Sequence, residues 1–385
     1  MAISSLIAAL VCCATFGCAG KSVGKPDAAV VKAYADRGYT PGHRFETMAT
    51  RDTWTIDSEP VDVTLIVPAQ AESYPLVIYL PGLGESADAG LAWRQAWAQA
   101  GYAVLSAQPT RYGSAVWSSN RARSGDFLDI AKEAFGVPSL ARRTLLAREL
   151  LAEVSRRQRA VSNTPVRRID MMRVAVAGYD LGAQTAMMVA GESISGVEAM
   201  QVGEGVKCVI ALSPYADFSG MGVESNFRSI RLPVLAVTSA QDTDAFGLVR
   251  SAAVRRAPFQ YMPPGQKYLL ILSVAPHSLL GGAGTPSLSK GQYAGQKPSG
   301  SESDMEAGTA VLSDEASVTD GHQRRRKRPG GAPSSSAQLA KEIAQVQSVT
   351  LAFLDAIVKN DLIASEWLSR NAKQWLGEGA DLQTK

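Results

Sequence analysis

Seven apolar stretches of strand length set the strongest limit on what this chain can fold into: VDVTLIVPA (61–69), YPLVIYLPG (74–82), GYAVLSAQP (101–109), MRVAVAG (172–178), VKCVIALSP (206–214), LPVLAVTSA (232–240) and KYLLILSVA (267–275). Most are continuously apolar and do not alternate, which suits strands of a mainly parallel sheet buried on both faces. Helical spacing separates them at about 88–100, 139–160 and 182–191, and again near 245–256. This alternation predicts a doubly wound α/β fold. A length of 385 residues is enough for a large domain of that kind, and a formal net charge of +3 gives no reason to expect a nucleic-acid partner. The arginines at 142, 143, 148, 156, 157, 159, 167 and 168 are interleaved with Leu145, Leu146, Leu150, Leu151 and Val154, the pattern of an amphipathic helix with a solvated charged face.

Three segments stand outside this plan. Residues 1–19 contain an apolar core from Leu6 to Phe16. At roughly a dozen residues the core is shorter than the ~20 needed to cross a bilayer, and it has the length of a signal peptide. Gly17-Cys18-Ala19-Gly20 resembles the end of a bacterial lipoprotein signal, implying an exported chain in the bacterial envelope with Cys18 as its lipid anchor; simple cleavage remains the alternative. Residues 20–50 read as a linker. Residues 281–336 are rich in Gly, Ser, Pro and charge, a composition that cannot offset ordering entropy by apolar burial, and are expected to form a disordered insert. Beyond the insert, Leu339, Ile343, Val346, Leu351, Leu354 and Val358 recur at helical spacing, so residues 337–385 rejoin the domain of 51–280. Only Cys208 lies outside the leader; one thiol builds neither a disulfide nor a metal site, and no metal or cofactor is expected.

The chemistry concentrates in Gly178-Tyr179-Asp180-Leu181-Gly182, between a strand and a small-residue helix. This has the form of the G-x-S-x-G nucleophile elbow, with aspartate in place of serine. After later strands come Asp242 and then His277, the order in which an acid and a histidine follow such an elbow. Asp244 and Asp217 are alternative acids, whereas His43 and His322 stand apart from the strand ends. Gly82 and Gly84 flank Leu83 after a strand, so the Leu83 N–H and the Leu181 N–H are candidate oxyanion donors. Tyr179, Tyr112 and Trp117 are candidate walls of a small-molecule pocket, and the stretch from Thr110 to Pro138 reads as a partial lid or a long surface loop.

With these residues the chain resembles the α/β-hydrolase family, in particular its dienelactone-hydrolase-like and platelet-activating-factor-acetylhydrolase-like branch. The resemblance covers about residues 60–280 and the C-terminal helix, through the elbow, TSAQDTDAFG, RAPFQYMPPGQKYLLILSVAPH and LAFLDAIVKND. It implies hydrolysis of an ester or related small substrate, with Asp180, Asp242 and His277 at the triad positions. An aspartate elbow also resembles those of haloalkane dehalogenases and epoxide hydrolases, where the carboxylate attacks a saturated carbon. A ligand-binding protein with a disabled elbow is the third possibility. Mass analysis of the mature N-terminus checks the leader: a lipid-modified chain starting at Cys18 is the expected result, cleavage after Ala19 would leave export standing without the lipid, and an intact Met1 would reject export.

Overall fold

The computed structural model describes residues 26–160, 164–218, 222–282 and 335–385. The leader with Cys18, and residues 283–334 of the insert, lie outside the described residues. Among the described residues the strands are β1 (Thr47–Ile56), β2 (Glu59–Pro68), β3 (Tyr74–Leu80), β4 (Ala103–Pro109), β5 (Ile169–Tyr179), β6 (Val206–Leu212), β7 (Val234–Gln241), β8 (Lys267–Pro276) and β9 (Ala380–Thr384). They form one nine-stranded sheet in the order β1-β2-β4-β3-β5-β6-β7-β8-β9. The run from β4 through β3 to β8 is parallel, while β1, β2 and β9 pair antiparallel at the two margins.

The helices are α1 (Ala28–Ala35), α2 (Leu91–Gln99), α3 (Asn120–Arg123), α4 (Phe127–Phe135), α5 (Val137–Ala160), α6 (Leu181–Ala190), α7 (Val223–Phe227), α8 (Ala257–Tyr261), α9 (His277–Leu280), α10 (Ser335–Val358), α11 (Leu362–Glu366) and α12 (Ala372–Leu376). Strand alternation divides the core in two. Val77, Tyr79, Ala175 and Ala177 face α2 and α10, whose Trp93, Trp97, Val346 and Phe353 cover them. Leu76, Ile78, Val174 and Val176 face the other way, onto Leu146 and Leu150 of α5 and Ala183 and Met187 of α6. The doubly wound α/β architecture therefore follows from burial on both faces. No helix among the described residues is long and apolar enough to cross a membrane.

Several sequence expectations are corrected. The stretch 20–50 is more than a linker, because it contains α1 and the start of β1. β1 and β2 form a hairpin through Asp57 and Ser58, both at positive φ (47° and 64°), the geometry favoured by two-residue hairpin loops. The helix expected near 245–256 is largely absent: residues 245–251 are irregular, followed by a 3₁₀ turn (Ala252–Arg256) and α8. There the Asp244 carboxylate accepts from the N–H groups of Phe246 (2.8 Å), Leu248 (3.1 Å) and Val249, replacing the carbonyls a helix would supply. The 110–138 stretch is structured by two 3₁₀ turns, α3 and α4. Helix α10 begins at Ser335, two residues inside the expected insert. Arg143 departs from the solvated face of α5 and is buried.

Glu192, just beyond α6, is buried with one carboxyl oxygen unpartnered, and burial pushes its pKa from 4.5 up to about 8. The folded chain then keeps a proton that the unfolded chain releases near pH 4.5, so stability falls as pH rises between these values, by at most about 1.4 kcal/mol per pH unit. Glu192→Gln is expected to match the wild type in thermal unfolding at pH 5 and to exceed it at pH 8; equal melting temperatures at pH 8 would contradict this.

Candidate active site

β5 ends at Tyr179 and α6 starts at Leu181, leaving one residue, Asp180, to turn the chain. Its backbone adopts φ 51° and ψ −110°, a conformation that costs a residue with a side chain about 1–3 kcal/mol. Two glycines make the turn possible. A Cβ on Gly182 would collide with the Leu80 carbonyl, and one on Gly178 with the Gly182 carbonyl, so only glycine lets α6 approach β3 and β5 this closely. The Asp180 N–H donates to the Leu212 carbonyl (3.0 Å), fastening the turn to β6. The side chain is thereby raised above the carboxyl ends of the parallel strands, where open α/β sheets place their ligand crevice.

Asp242 and His277 meet Asp180 there. Asp242, fully buried at the end of β7, accepts from Ser213 Oγ (3.0 and 2.9 Å) and Thr238 Oγ1 (2.7 Å), and Arg255 Nε lies 3.6 Å away. Its Oδ1 is 2.7 Å from His277 Nδ1. That contact orients the ring, so that Nε2 faces Asp180 Oδ1 at 3.5 Å. Of the alternative acids, Asp244 caps its own loop and Asp217 is exposed after β6. Burial alone would raise the Asp242 pKa, but hydrogen bonding to His277 and the charges of Arg255 and His277 bring it below its usual value.

Asp180 is likewise lowered: burial opposes ionisation, and His277, Arg255 and the Leu181 N–H outweigh it. Burial pulls His277 down, whereas its bonds to Asp180 and Asp242 and the Asp180 charge lift it to about 9. The resting site is thus an imidazolium between two carboxylates.

Both expected oxyanion donors converge on Asp180. The Leu83 N–H donates to its Oδ2 (3.4 Å), and the Leu181 N–H, next along the chain, helps hold the carboxylate ionised. One oxygen faces histidine; the other meets the Leu83 N–H.

Tyr179 does not stand free as a pocket wall. Its hydroxyl donates to the His277 carbonyl (3.1 Å), and its ring lies 5.1 Å from the imidazole, bracing the histidine. Tyr112 and Trp117 belong to an apolar roof over Leu83 and Leu181. Trp117 stacks on Phe246 (5.0 Å) and leans across Gly84, where a Cβ would strike its indole. Beneath the roof the Asp180 and His277 side chains are only 6% and 12% exposed.

Three site residues escape the sequence reading. Arg255 is buried behind Asp242 and donates to the Ser213 carbonyl (2.9 Å), holding the acid's loop. Arg143 donates to Leu181 O (2.9 Å), Gln184 Oε1 (2.6 Å) and Ala134 O (3.1 Å), tying the first turn of α6 to the roof; burial lowers its pKa to about 10. Glu85 accepts from the Gly82 N–H (2.8 Å), and burial lifts its carboxyl to about 7, the nearby Asp180 charge adding to the rise. The only sequence signal for Glu85 is its place in GLGE, directly after a strand; the two arginines carry none beyond their charge. Among the described residues no cluster of His, Cys, Asp and Glu is arranged to hold a metal.

No family model matches the chain, and no curated protein matches it.

Removing the Asp180 charge removes a main support of the imidazolium. Asp180→Asn is expected to lower the His277 pKa from about 9, followed by NMR titration of the imidazole signals; a value unmoved would mean that the two groups do not share charge.

Proposed function

We propose that this chain is an α/β hydrolase whose nucleophile is Asp180 and whose substrate is a small molecule with a leaving group on a saturated carbon, an alkyl halide or an epoxide. The observation that carries the reading is the division of the Asp180 carboxylate, Oδ1 toward His277 Nε2 and Oδ2 at the Leu83 N–H. With serine at the elbow, the donor pair receives an oxygen of the substrate acyl group. Here that place belongs to the enzyme's own oxygen. The expected ester substrate would have to displace Oδ2, whereas attack on saturated carbon leaves it in position.

In the first step Asp180 Oδ1 forms a bond to the substrate carbon and the bond to the leaving atom breaks with its electron pair: a halide departs as the anion, whereas an epoxide oxygen stays attached as an alkoxide. Asp180 is now a neutral ester and no longer supports the charge on His277, whose pKa falls so that the ring gives up its proton, to solvent where a halide has left and to the alkoxide where an epoxide has opened. His277, oriented by Asp242, then takes a proton from water as the water attacks the aspartyl carbon. Negative charge develops on Oδ2, at the N–H groups of Leu83 and Leu181. Collapse breaks the bond between the aspartyl carbon and the alkyl oxygen and releases an alcohol, restoring the carboxylate. Histidine is a charged resting partner before alkylation and a base only after it.

A second reading, a ligand-binding protein, is favoured by the nearly closed roof and the Asp180–His277 contact. For location, the leader supports export to the bacterial envelope with Cys18 as the anchor.

One set of proteins separates these readings. His277→Gln, treated with epoxides and alkyl halides, is expected to accumulate an ester on the peptide containing Asp180. Wild type turned over once in H₂¹⁸O is expected to carry the label in Asp180, because water attacks the enzyme carbon. Absence of adduct and label, together with new aryl-ester hydrolysis by Asp180→Ser, would replace the nucleophile reading with a disabled esterase; inactivity of all three proteins would favour the binding protein.

A further inference from the structure

The Gly82–Glu85 turn carries the Leu83 N–H, and its own Glu85 side chain closes the turn on itself without tying it to the rest of the fold. Its three other N–H groups are all engaged: Gly82 to Glu85 Oε2 (2.8 Å), Gly84 to the Tyr112 carbonyl (2.8 Å) and Glu85 to the Gly82 carbonyl (3.3 Å). Among the described residues, its carbonyls accept from one side chain outside the turn, that of Gln108. Gln108, buried near the end of β4, brings Nε2 to the carbonyls of Gly82 (2.9 Å), Glu85 (3.0 Å) and Tyr112 (3.2 Å). Three surrounding carbonyls require the donor end of the amide at this point, which settles its orientation. Sheet register explains the reach. β3 and β4 run parallel with Tyr79 opposite Ser106, so the chain leaving β3 at Leu80 passes beside Gln108.

We propose that Gln108 is a positioning residue for the oxyanion donor: its amide clamps both ends of the Gly82–Glu85 turn to the Tyr112 segment, and so aims the Leu83 N–H at Asp180 Oδ2. This assignment rests on the reading of Asp180 as a nucleophile whose ester is hydrolysed at that donor. Gln108 touches no reacting atom. It acts on the second step, where charge develops on Oδ2, and leaves the first step nearly untouched, because the attacking Oδ1 faces His277.

Gln108→Met keeps the length and packing of the side chain and removes the donor; Gln108→Asn keeps the donor but withdraws it by one methylene, and serves if the first variant fails to fold. Two measurements are made on each. Amide hydrogen exchange at Gly82–Glu85, which needs no substrate, is expected to accelerate by about tenfold or more while exchange in the rest of β3 and β4 stays at the wild-type level. With styrene oxide as the probe, breakdown of the covalent ester is expected to slow by about 10–100-fold, with its formation changed by less than about threefold. Turn amides that stay protected overturn the proposal, as does a parallel loss of formation and breakdown together with a general rise in exchange. If no protein forms an adduct, hydrogen exchange alone decides the role of Gln108 at the turn, and the nucleophile reading falls separately.

Discussion

The approach of α6 to the sheet is the constraint on which the rest of the site depends. Gly182 lies against the Leu80 carbonyl, and Gly178 against Gly182, at separations that admit no Cβ. That contact sets three things at once. It forces Asp180 into its positive-φ turn, it brings the start of α6 beside the chain leaving β3, and it thereby lets the N–H groups of Leu83 and Leu181 meet one carboxylate. Alanine at Gly182 would move the helix away from the strand ends, and the donors would separate even if every charged residue stayed in place.

Charge is arranged around the same point with equal economy. Asp242 is satisfied by two hydroxyls, an imidazole and Arg255, so it remains ionised despite full burial. Asp180 shares the imidazole but has the Leu83 N–H on its other side, a weaker enclosure than that of Asp242. Glu85, a third carboxyl near the same ring, rises where the other two fall, because desolvation and the Asp180 charge outweigh its one backbone hydrogen bond and the His277 charge. Identical chemistry in three environments gives two anions and one readily protonated acid.

The central fold was legible because the strands from β3 to β8 are apolar on both faces, a pattern that few other structures share. The margins were not. β1 mixes Arg51, Asp52 and Thr53 with buried Trp54 and Ile56, and β9 buries only Leu382. Neither forms an apolar run, although both complete the sheet. At the site, the order of Asp180, Asp242 and His277 along the chain was visible, and so were the two glycine turns. Gln108, Arg143 and Arg255 were hidden, because each works by donating to backbone carbonyls that become neighbours only after folding. The irregular path after β7 was hidden for a similar reason: the Asp244 side chain competes with helical hydrogen bonds that the residue pattern otherwise favours.

Helix α10 comes late in the chain yet covers the face of the sheet formed by Val77, Ala175, Ile210 and Leu235. While the chain emerges from the ribosome, every parallel strand is complete before that cover exists. The α5 and α6 face can close early, whereas the opposite face has α2 over one part of it and keeps the rest wet and adhesive until residues 335–358 arrive. Synthesis from the N-terminus therefore yields a half-covered sheet first, and α10 acts as the latch that ends its exposure. A chain truncated anywhere in the long insert would display that apolar face permanently, making it a substrate for chaperones and proteases rather than a smaller working protein.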